Sequence, residues 1–93
     1  MDVKVAVSTA KEQVKELFSA DNVSNVTLEE INFAESDEVW EITVGITRPS
    51  AIPRNNSLAA LVTPEFERAY KVVRIRDSDQ RILSVTNRVA QAA

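Results

Sequence analysis

A chain of 93 residues supports one domain, and at that length folding removes only roughly 60 to 65% of the unfolded chain's surface from water. Hydrophobic residues at 44% against 27% charged, with one glycine and three prolines, describe a folded globule rather than a disordered or fibrous chain. Having neither cysteine nor histidine excludes disulfides, thiolate nucleophiles, imidazole bases and the ligands that zinc and copper prefer, so no catalytic, cofactor or metal residue is assigned.

The first helix comes from Val3, Val7, Ala10, Val14, Leu17 and Phe18, whose spacing predicts a helix over roughly 2 to 19 that buries this one stripe. Asp2 caps its amino end, and a shorter helix starting at Thr9, with Glu12 completing a capping box, is the competing reading. Residues 25 to 34 then change to a period of two, with a slip near Glu29 and Glu30 of the kind a β-bulge produces. After a turn at Ser36-Asp37-Glu38, the strand starting at Trp40 alternates Ile42, Val44 and Ile46 with Glu41, Thr43, Gly45 and Thr47. Residues 66 to 76 and 81 to 89 form a closing hairpin around Asp77-Ser78-Asp79-Gln80. Neither of its strands alternates cleanly, which predicts some apolar surface on the sheet's second face. The tail 90 to 93 reads as frayed.

These elements predict one α+β domain over 1 to 93: an N-terminal helix packed on a four-stranded antiparallel meander sheet, with a long connection between the second and third strands. That connection, residues 48 to 65, is long for so small a domain. Its LAALV run is the strongest functional pointer, because leaving Leu58, Leu61 and Val62 in water forgoes about 1.5 to 3 kcal/mol per side chain. Folding back as a lid over the sheet edge is the competing reading. With Ile52 and Tyr70 these three make up the expected partner-binding set.

The net charge of −3 is unevenly spread. Residues 1 to 47 hold ten acids against three bases, and residues 48 to 93 hold eight bases against four acids. The basic hairpin with Tyr70 and Phe66 resembles a single-stranded nucleic-acid surface. An acidic chain with pI 4.9 and no RNA-binding motif points instead to cross-strand pairing with Glu29, Glu30, Glu41 and Glu67. The acids Glu35, Asp37, Glu38 and Glu41 lack the spacing and glycine of a calcium loop, and Trp40 beside Ile42 and Val44 reads as core packing. Asp2, Lys4, Lys11, Glu12 and Lys15 fall where a signal peptide needs an apolar core. No apolar run approaches the roughly 20 residues that span a bilayer. A cytoplasmic protein with no membrane partner is expected.

One amphipathic helix, a Trp-containing strand, a connection and a terminal hairpin resemble the plan of cystatin-like and PepSY-like domains. Val23-Ser24-Asn25-Val26, Trp40-Glu41-Ile42-Thr43-Val44, Arg48, Ile52-Pro53 and the Tyr70-Lys71-Val72 to Asp79 hairpin are also similar in layout to a small accessory protein family of gas vesicle assembly. Both resemblances imply binding or assembly and supply no catalytic residue. The expectation is a non-catalytic protein-binding or assembly module, homodimeric through the 48 to 65 segment and the open sheet face. A small-ligand or enzymatic pocket between helix and sheet and a nucleic-acid-binding hairpin are the alternatives.

Overall fold

A computed structural model of the chain describes residues 1–49 and 66–88. Helix α1 (Val3–Leu17) is followed by a single 3-10 turn, then by β1 (Ser24–Ala34), β2 (Val39–Pro49), β3 (Phe66–Arg76) and β4 (Ile82–Asn87). The strands form one antiparallel sheet in the order β1-β2-β3-β4, with α1 across one face. The α+β layout is therefore the expected one. The expected connection between β2 and β3, with Ile52, Leu58, Leu61 and Val62, lies in residues 50–65, outside the described residues, as does the 89–93 tail.

The longer of the two helix readings holds. The Asp2 carboxylate accepts from the Lys4 backbone N–H at 3.2 Å, satisfying a donor that the first turn leaves free. At the other end Asn22, at φ 53°, takes the left-handed conformation that asparagine tolerates and turns the chain into β1.

The buried stripe keeps Ala10 and Val14 of the expected set, with Val7 and Phe18 packed at its margin, but it is shifted toward Ala6 and away from Val3 and Leu17. Ala6, Ala10 and Val14 are fully buried, whereas Val3 and Leu17 are exposed and Val7 and Phe18 half-buried. The reason is distance: two alanines one helical turn apart let the backbone settle onto Ile42, Val44, Ile46, Val73 and Ile75, the hydrophobic core residues of β2 and β3. The valines are left on the flank that faces β1.

Three register shifts account for the imperfect alternation of β1 and β4, whereas β3 pairs with β2 without a shift. One lies between Leu28 and Glu30, where the sequence slips, and a second between Ser24 and Thr27. The third lies opposite Arg74 and Ile75: Ile75 pairs with Ile82 while Arg74 pairs with Ser84, so Leu83 is the extra residue. Ile82 and Val85 consequently both pack against the core, and Leu83 is exposed.

Candidate interaction surface

The flank left open by the alanine contact becomes a groove between α1 and β1. Val3, Val7, Leu28 and Ile31 form its walls, Lys4, Ser8 and Lys11 its rim, and it is a shallow depression, open to solvent, of about 460 Å³. Val3 is 40% and Leu28 39% exposed, so apolar surface stays in contact with water here. Lys4 and Lys11 are seven residues apart on the helix, about 10 Å along its axis. Among the described residues neither lies in an ion pair.

Beside the groove runs the outer edge of β1, a sheet edge whose backbone groups have no neighbouring strand among the described residues. Phe33 is 39% exposed and its ring lies 4.9 Å from that of Trp40 in a tilted pair. Trp40, expected in the core, is half-buried at its margin, where its indole N–H donates to Asp77 at 3.0 Å. Asp77 also lies 3.1 Å from the amino group of Met1, and these two donors, the indole first, hold its carboxyl below the usual carboxylate range.

The opposite face of the sheet is covered by charge pairing rather than by a continuous apolar patch. Arg68 lies 3.7 Å from Glu29, Arg74 3.5 Å from Glu41 and Arg88 2.9 Å from Glu30. On the helix-facing side Arg48 donates to Glu67 at 3.0 Å. Each acid that the sequence offered as a cross-strand partner is thus engaged, and the uneven linear charge is interleaved by the meander. Tyr70, the one expected partner residue among the described ones, is half-buried on this face, with the Arg68 guanidinium 5.9 Å from its ring centre. Val72 beside it and, farther along β3, Phe66, which is exposed, add apolar surface to this face.

Sequence reasoning missed Lys71. It follows the inward parity of Val73 and Ile75 and is only 5% exposed, packed at the carboxyl end of α1. Its ammonium lies 4.6 Å over the Phe18 ring and donates to the Asn87 side chain. Burial first, then the Arg48 charge, lowers its pKa from the ordinary 10.5, and Asp21 opposes the shift. The signal was present: strand parity alone assigns Lys71 inward once Val73 and Ile75 are inward. The groove was missed because its walls come from α1 and β1 together, and no single segment displays them.

No family model, curated protein or solved structure matches the chain. Among the described residues no group of acidic side chains could hold a metal ion, and no helix is long and apolar enough to cross a membrane.

Proposed function

We propose that the chain is a non-catalytic protein-binding or assembly module whose docking surface is the α1–β1 groove together with the adjoining edge of β1. The observation that carries this reading is the juxtaposition of two demands that no described residue fills. Val3, Leu28 and Phe33 keep apolar surface in water, and the neighbouring β1 edge offers a row of backbone donors and acceptors. A polypeptide strand answers both at once, with main-chain hydrogen bonds on the edge and alternate side chains in the groove. A lipid or metabolite would fill the groove and leave the edge unmet. The lysine rim favours a partner segment that carries acids beside its apolar side chains.

A non-catalytic role is supported by the chemistry available to the chain. Histidine and cysteine are missing from it, and the groove is lined by alkyl side chains with Lys4, Ser8 and Lys11 as its polar groups, and no carboxylate. The buried amine of Lys71 is engaged by Asn87 and Phe18 on the far side of the core.

The test is affinity capture with the intact chain and two variants, Leu28→Asp in the groove and Tyr70→Asp on the open face. Leu28→Asp is expected to lose the captured protein while Tyr70→Asp keeps it. The opposite pattern moves the docking surface to the open face.

A further inference from the structure

We infer that the occupant of this groove is the β1 segment of a second copy of the chain, paired antiparallel across a two-fold axis at Asn32. This rests on the reading of the groove and edge as a docking surface, and names what docks there.

The argument starts with which part of the edge can pair. Register shifts interrupt β1 between Ser24 and Thr27 and between Leu28 and Glu30, so Glu30–Ala34 is its uninterrupted stretch. A two-fold axis at Asn32 sets Ile31 of each copy against Phe33 of the other, and Glu30 against Ala34. Centring on Glu30 would oppose two like charges, and centring on Phe33 would set Ile31 against Glu35; the Asn32 register avoids both. Ile31 and Phe33 stand opposite Ile42 and Trp40 and hence on the helix side of the sheet. The incoming Phe33 therefore enters at the groove wall.

Charge completes the match. Beyond Phe33 the strand runs into the turn with Glu35, Asp37 and Glu38, and Lys4 and Lys11 rim the groove that it would pass. Among the described residues none of these five lies in an ion pair. The chain thus carries the acidic, apolar strand and the lysine-rimmed groove on one edge. Such a self-complementary surface closes on itself as a dimer instead of propagating. The result is a continuous eight-stranded sheet.

The absence of native cysteine makes the test clean. Paired antiparallel residues place their Cα atoms about 4.5 to 5.5 Å apart, within disulfide reach. Asn32→Cys is expected to give a covalent dimer on mild oxidation, and Asn25→Cys, near the far end of the same strand, is not. Sedimentation of the untagged chain should show a concentration-dependent dimer. The dimer should be weakened at least tenfold by Lys11→Glu or by Glu35→Lys alone and recover in the double variant. A monomer at all concentrations, equal cross-linking at the two cysteine positions, or no recovery in the double variant overturns the pairing. The capture comparison with Leu28→Asp is independent of these outcomes and decides the groove reading separately.

Discussion

The Arg68 guanidinium lies directly over Gly45, so closely that a Cβ at position 45 would overlap its Nη2 atom. From there it donates to the Asn25 carbonyl at 2.8 Å, the Thr47 hydroxyl at 3.0 Å and the Thr27 hydroxyl at 2.7 Å, tying β3 to β1 across β2. The only glycine in the chain is therefore placed for close approach.

Gly45→Ala sets two effects against each other. An alanine in a strand gains roughly 0.5 to 1 kcal/mol over glycine, but it displaces Arg68 and crowds Glu29 and Thr27, whose nearest atoms lie 3.1 Å from the added carbon. We expect the substitution to destabilise the native chain and to become neutral or stabilising in an Arg68→Ala background. A coupling of about 1 kcal/mol in a denaturant double-mutant cycle is the expected result.

The alanine contact makes a second prediction. Ala10 is fully buried where α1 meets the sheet, so Ala10→Leu overpacks the contact and is expected to cost about 1 to 3 kcal/mol, read from urea midpoints at constant slope. The conservative enlargement of the groove-facing Val3, Val3→Leu, is expected to cost under about 0.5 kcal/mol.

Much of the architecture was legible in the sequence because the signals were local. The 3.6 period of α1, the alternation from Trp40 to Thr47 and the turn residues at 77 to 80 each report one element's own geometry. The buried helix stripe was legible in part: Ala10 and Val14 were expected and are buried, but side-chain size favours Val3 and Leu17 at its margin while close approach of helix to sheet favours Ala6, and only the assembled fold decides between them. The candidate site was less legible still. Four of the five expected partner residues fall in 50–65, outside the described residues, and the fifth, Tyr70, lies under Arg68 on the ion-paired face.

Lys71 predicts alkaline behaviour. Its pKa in the folded chain is below the unfolded 10.5, so the unfolded chain binds more protons between these two values. The cost of burying the charge is full below the lowered pKa, shrinks as pH rises through that window, and is gone above about 10.5. In Lys71→Met this contribution is absent. The difference in stability between the native chain and the variant should shift in favour of the native chain as pH rises toward 10.5, measured by chemical denaturation.

Asp77 predicts the converse at acid pH. Its folded pKa is depressed below 3.8 by the Trp40 indole and the Met1 amine. The stability it contributes is present in full above about 3.8 and is lost as pH falls through the depressed value. Asp77→Asn keeps an acceptor for the indole and removes the titration. The native chain should lead this variant by a constant margin at neutral pH, and that margin should close in acid.

Amide hydrogen exchange along β1, followed as the chain is diluted, tests the central claim most directly. If the groove and edge seat a second copy, the outward amides of Glu30–Ala34 are protected at high concentration and lose that protection on dilution, while those of β4 do not change. Protection in β1 that is independent of concentration, or a dilution effect confined to β4, would contradict the account.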